Sequence, residues 1–303
     1  MMYSRFLGAP CRNFCVLSAI QIKDPMDSRE KFILSSFVSG GTGRLVFIDI
    51  QTGGGERIEL PGDEGAWALL NLNNEKLLVG TCGLKGYLHC LDLKSRAWAE
   101  PLRDENETYI WNLVLGSDGM VYGGTYPGCV LLRYNPEKHV LENLGRMSPY
   151  AGNQYSRNVF GNAPGRILIN CGYDKPHASM YDLSTCRVKP FGKEGASVKE
   201  ANKDFVCTVS GDDMDFYDLV TLERICETLS FSHLKSPQFN DKTPISEFIA
   251  KYANPEKDAR IPKESGCVLS LENGDKAGVR GQEYFYLKKG DRELSLLPIP
   301  AEA

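Results

Sequence analysis

Tyr155, Arg157 and Asn158 stand together in one short stretch, and Tyr173 and His177 follow in the next connection. A guanidinium and a carboxamide can hold a carboxylate or sugar hydroxyls, and a phenol or imidazole can move a proton near neutral pH. Trp67 and Trp111 add flat faces on which a sugar ring can lie. The set suits an anionic saccharide: Arg157, with Asn158, would neutralise a uronate carboxylate and acidify its C5 proton. Tyr155 or His177 would abstract that proton while a second such group protonates the leaving oxygen. Arg12, Asn112, Tyr126 and Tyr173 join Trp67, Trp111 and Asn158 as candidate ligand contacts. The plainer reading makes Trp67 and Trp111 packing residues and pairs Arg157 with a neighbouring acid.

What could bring these residues together is an internal repeat. Lys76-Leu-Leu-Val-Gly-Thr-Cys-Gly followed by Gly86-Tyr-Leu-His-Cys-Leu-Asp-Leu is repeated as Gly119-Met-Val-Tyr-Gly-Gly-Thr-Tyr-Pro-Gly followed by Val130-Leu-Leu-Arg-Tyr-Asn-Pro. The pattern recurs over 32–50 and 166–183, and more loosely over 205–219. The residue closing the second strand of each pair is Asp49, Asp92, Asn135, Asp182 or Asp218, at intervals of 43, 43, 47 and 36 residues. Such spacing is that of a propeller blade. An Asx side chain there can bond its own downstream backbone and open the turn to an outer strand.

Upstream strands at Ala66–Leu72, Ile110–Leu115 and Tyr155–Phe160 precede each pair. Trp67 leads Leu77, Trp111 leads Val121 and Arg157 leads Ile167, each by 10 residues. The three are therefore positional equivalents, and Arg12-Asn13 takes the same place if 21–30 is a long turn insertion. The first strand of a propeller blade lines the central channel, which puts this row at the channel mouth.

The fold class expected is all-β: one propeller domain over 1–303 with about six readable four-stranded blades, ending near Leu60, Leu102, Leu144, Phe191, Leu229 and Pro298. Residues 230–264 interrupt the repeat, and Thr243-Pro244 with Ile245, Phe248, Ile249 and Tyr252 reads as one short amphipathic helix over Thr243–Ala253. The first strand could close a six-bladed ring. A seven-bladed protein of which this chain is part is favoured slightly.

Composition narrows the partners. With 35 Lys and Arg against 39 Asp and Glu, and no basic stripe, the chain is not expected to bind nucleic acid. The ten cysteines lie mostly inside apolar runs and read as reduced, buried thiols rather than a disulfide framework. The amino terminus lacks an apolar export segment, and no membrane-length apolar stretch occurs, so the chain as written reads as cytoplasmic, with export open if it is a fragment. No zinc spacing, phosphate loop or calcium loop is present, and neither cofactor nor metal is expected: Ser39–Arg44 is a hairpin turn, and His89 and His139 are structural or exposed.

The run from Ser117 to Gly128 and the following Leu-Leu-Arg-Tyr-Asn-Pro resemble the blades of bacterial propellers outside the Trp-Asp dipeptide group, of the YVTN type. The resemblance covers about residues 10–229 and implies blade architecture. Within that looser group the nearest enzymes it resembles are the propeller polysaccharide lyases, such as ulvan and oligogalacturonate lyases. No complete catalytic motif of theirs is matched. Three functions stay open: a recognition module holding a saccharide, small molecule or protein at the channel face; a lyase cleaving a uronate polymer; and a protein-assembly scaffold using the helix at Thr243.

Overall fold

The computed structural model describes residues 15–211, 213–225, 229–230, 264–270, 275–280, 284–289 and 292–298. Their strands form six four-stranded antiparallel units, each built in chain order from the inside outward. The first holds β1 (Cys15–Lys23), β2 (Glu30–Phe37), β3 (Arg44–Asp49) and β4 (Gly55–Glu59). The second holds β5 (Gly65–Leu72), β6 (Lys76–Cys82), β7 (Tyr87–Asp92) and β8 (Leu102–Arg103), and the third β9 (Tyr109–Leu115), β10 (Val121–Tyr126), β11 (Val130–Asn135) and β12 (Val140–Arg146). In the fourth are β13 (Tyr155–Phe160), β14 (Arg166–Gly172), β15 (His177–Asp182) and β16 (Arg187–Phe191); in the fifth β17 (Ser197–Ala201), β18 (Phe205–Ser210), β19 (Asp213–Asp218) and β20 (Leu229–Ser230). The sixth holds β21 (Glu264–Ser270), β22 (Lys276–Arg280), β23 (Tyr284–Lys289) and β24 (Arg292–Pro298).

Inner strands neighbour one another: β1 lies against β5, β5 against β9, and β9 against β13. β1 also lies against β21, so the sixth blade neighbours the first. The helix expected over Thr243–Ala253 falls outside the described residues. No described helix is long and apolar enough to cross a membrane.

The core lies between blades because the second strand of each is apolar on both faces. Leu77 and Val79 pack with Ile33, Leu45 and Phe47 of the first blade, whereas Leu78, between them, packs with Ile110, Val121 and Leu132 of the third. Alternate side chains leave opposite faces of a strand, so a continuous apolar run serves two neighbours. Outer strands need no such run, and Gly55–Glu59 and Val140–Arg146 are largely exposed.

The repeating Asx residues open the turns as expected. Asp92 Oδ1 accepts from the backbone N–H of Lys94 and Ser95 at 3.1 and 2.7 Å, Asn135 Oδ1 from Glu137 and Lys138, and Asp182 Oδ1 from Ser184 and Thr185. The Ser184 hydroxyl and these amides lower the Asp182 carboxyl to about 2.

One irregularity recurs on the inner strands. Ala66 and Ala68 face the consecutive residues Thr81 and Gly80, which leaves Trp67 as the extra residue of a β-bulge. Leu17, Trp111, Arg157 and Lys199 are the extra residues at the same place on β1, β9, β13 and β17. A bulge re-aims a side chain without disturbing the rest of the ladder.

Candidate functional site

The loops beside the bulges are held by one device in three chemical versions. Asp63, buried ahead of β5, accepts from the Thr81 hydroxyl at 2.7 Å and from the backbone N–H of Leu84 and Gly86 at 2.9 Å each. Glu107, ahead of β9, accepts from Gly128 N–H at 3.0 Å, and burial pushes its carboxyl above the usual range. Asn153, ahead of β13, accepts from the N–H of Asp174 and Lys175 at 3.1 and 2.7 Å and donates to the Lys175 carbonyl at 2.7 Å. Each clamp fixes the turn between the second and third strands of its own blade. These turns and the inner-strand starts occupy the same end of the propeller.

On that end six aromatic rings and one guanidinium converge. Trp67 and Trp111 meet at 5.5 Å between ring centroids, Tyr109 stacks on Trp111 at 5.0 Å, and Tyr155 meets Trp111 edge-on at 5.6 Å. Tyr126 stacks on Tyr155 at 5.3 Å, and Tyr173 meets Tyr155 edge-on at 5.7 Å. The Arg157 guanidinium lies over both indoles, 4.8 Å from the Trp111 ring and 6.0 Å from that of Trp67, within cation–π range. Arg157 is exposed, and among the described residues it has no carboxylate partner. Among the described residues the buried Trp111 indole N–H has no acceptor. Burial raises the Tyr109 hydroxyl above its ordinary pKa, so it remains a phenol.

Five of the expected residues, Trp67, Trp111, Tyr126, Tyr155 and Tyr173, thus share one ring cluster whose indoles carry Arg157, and exposed Asn158 follows it in the chain. The two indoles are half-buried at the mouth and touch across blades two and three, with Trp111 also against Tyr155 of blade four. Others are occupied elsewhere. Asn112 spends its amide on the next blade, donating to the Val159 carbonyl at 3.0 Å and accepting from Val159 N–H at 3.2 Å. His177 is buried against Tyr150 and bonded through Nδ1 to the Lys175 carbonyl at 3.0 Å, with the Asn153 amide beside it. Arg12 lies outside the described residues. Its expected place is taken by Leu17, because Lys23 pairs with Glu30, which confines the turn to 24–29 and moves the strand five residues down the chain. Tyr109 was not among the expected contacts, although as first residue of β9 it matches Tyr155, first residue of β13.

A separate cleft of about 260 Å³ lies at the first blade, lined by Arg29, Lys31, Asp49 and Glu56 among others. Its cations are spoken for: Arg29 pairs with Asp49 at 3.1 Å and Lys31 with Asp24 at 2.7 Å. Among the described residues no cluster of His, Cys, Asp and Glu could hold a metal ion, and the described cysteines are free thiols.

The fold and this mouth define a β-propeller. The chain is similar to virginiamycin B lyase from Staphylococcus aureus, with 10% identity and a TM-score of 0.54 over 98% of this chain and 88% of that one. It is also similar to the WD40 repeats of RRP9, with 10% identity and a TM-score of 0.53 over 95% and 82%. These likenesses establish the propeller fold. No protein-family model matches the sequence, and no curated protein matches it.

Proposed function

We propose that this propeller is a recognition module whose channel mouth, on blades two to four, holds a ligand that presents a ring and an anionic group, with an acidic saccharide as the leading class. One observation carries the reading: Arg157 is exposed, without a carboxylate partner among the described residues, and seated on two indoles. Exposed arginines are usually solvated freely; one held on aromatic faces has already lost the freedom that binding would cost, and it keeps its donors for a ligand. Tyr155, in contact with Trp111, and the rings of Tyr126 and Tyr173 against Tyr155 extend the aromatic surface away from the two indoles. Of the two bases a uronate elimination could use, His177 is engaged with its own loop while Tyr155 stands in the mouth cluster, so the lyase reading rests on Tyr155.

The chain has three tryptophans, two of them at the mouth, so intrinsic fluorescence reads the site directly. Titration with uronate oligosaccharides is expected to give a saturable change that Arg157→Ala abolishes. A flat titration, or a response that Arg157→Ala retains, refutes the reading. Unsaturated product appearing in the same mixtures would make the protein a lyase instead.

A further inference from the structure

The residues of the mouth stand at two levels. Gly65, Tyr109 and Tyr155 are the first residues of β5, β9 and β13, and Trp67, Trp111 and Arg157 each follow two positions later. Two residues of strand rise roughly 6 Å, so the bulge row lies that much further from the loop end than the strand starts. At the outer level are Tyr109, its strand partner Tyr126, Tyr155, and Tyr173, which follows Gly172, the strand partner of Tyr155. The guanidinium belongs to the inner level, where it lies over the two indoles and over no tyrosine ring among the described residues.

The levels also differ in which rings are open. Trp111 already carries the Tyr109 ring at 5.0 Å and the guanidinium at 4.8 Å, and Tyr126 is stacked on Tyr155. Tyr173 is 67% exposed, and among the described residues its ring meets only that of Tyr155, edge-on. Its backbone is nonetheless pinned on both sides: Gln154 N–H donates to the Gly172 carbonyl at 3.0 Å, and Asn153 Oδ1 accepts from Asp174 N–H at 3.1 Å. An exposed ring on a fixed backbone can take a sugar ring at little cost in ordering. It does so at a distance from the charge, because Tyr155 stands between Tyr173 and Trp111, 5.7 Å from one and 5.6 Å from the other. We infer that the mouth has two subsites, Arg157 on its indoles for an acidic sugar and the face of Tyr173 for the sugar linked to it, so that the ligand is an oligosaccharide rather than a free uronate. The inference rests on the recognition reading above and adds the length of the ligand to it.

Glucuronate, glucuronate linked to xylose, and xylobiose carry one charge on one ring, one charge on two rings and no charge on two rings, and tryptophan fluorescence can follow all three. The charged disaccharide is expected to bind tightest. Tyr173→Gly is expected to shrink its advantage over glucuronate about fivefold, within the range of one aromatic face contact, and Tyr173→Phe to keep it. A charged disaccharide that binds no better than glucuronate, an advantage that Tyr173→Gly leaves intact, or one that Tyr173→Phe also loses overturns the second subsite. If Arg157→Ala binds glucuronate as the wild type does, if xylobiose binds as tightly as the charged disaccharide, or if none of the three binds, the recognition reading falls as well; failure at Tyr173 alone leaves it standing.

Discussion

Tyr173 holds a backbone φ of +123°, and the matching turn position in the second blade is Gly83 at +118°. A residue with a Cβ pays about 1–3 kcal/mol for such a conformation. The residue is nevertheless 67% exposed, its ring edge-on to Tyr155, so it buries too little to offset the strain within the fold. Tyr173→Gly is therefore expected to raise the melting temperature while weakening the ligand-induced fluorescence change; a lower melting temperature would assign the ring to stability and remove it from the ligand site. The sequence showed Trp67, Trp111 and Arg157 as one row because the bulge stands at a constant distance from the apolar strand that follows it. It misplaced the row at Arg12 because the first hairpin turn was read too long. Lys199 escaped notice because β17 buries only Val198 and has no aromatic residue to mark its phase.

The blade is an element whose parts were unequally visible. Its second and third strands are buried on both faces and repeat as apolar runs, whereas the outer strand shrinks to Leu102–Arg103 in the second blade and leaves little trace. The loop clamps have no periodicity, yet Asp63, Glu107 and Asn153 each stand two residues before an inner strand, a signal available in the sequence once those strands are placed. The comparison among them yields a test. Burial raises the Glu107 carboxyl, so the folded state binds its proton more tightly than the unfolded chain, and ionisation costs stability as pH rises from the ordinary carboxylate range through the raised value. Asn153 performs the same clamp with a neutral amide. Glu107→Gln should match the wild type in acid and exceed its melting temperature as the pH rises through the raised value. Equal or lower stability there would mean that the carboxylate's bond to Gly128 outweighs its desolvation.

At the scale of the whole molecule, the two ends of the propeller are built differently. The end opposite the mouth braces the first two blades through Asp24, buried between Lys31 and Arg96, with Arg96 also bonded to Glu56 and lying over Phe47. Burial alone would raise the Asp24 carboxyl, but its bonds to Arg96 and Lys31 outweigh that and hold it below the usual range. Arg96→Ala should cost about 2 kcal/mol, since Lys31 remains, and leave the fluorescence titration at the other end unchanged. Asp24 contributes above the ordinary carboxylate pKa and is lost only in strong acid, so any decline at milder pH needs another group. His89 supplies it: the imidazole is fully buried, with Tyr87 and Trp98 at 5.3 and 5.4 Å, and burial lowers its pKa to about 4. The unfolded chain then binds the extra proton between about pH 6.5 and 4, so His89 has no cost above that window and removes stability as pH falls through it, by at most roughly 3 kcal/mol. His89→Phe keeps a ring between Tyr87 and Trp98 and cannot titrate. Melting curves at about pH 7 and about pH 4.5 should therefore converge in the variant and separate in the wild type, and an equal acid-induced drop in both would place the acid sensitivity of the ring in its carboxylates.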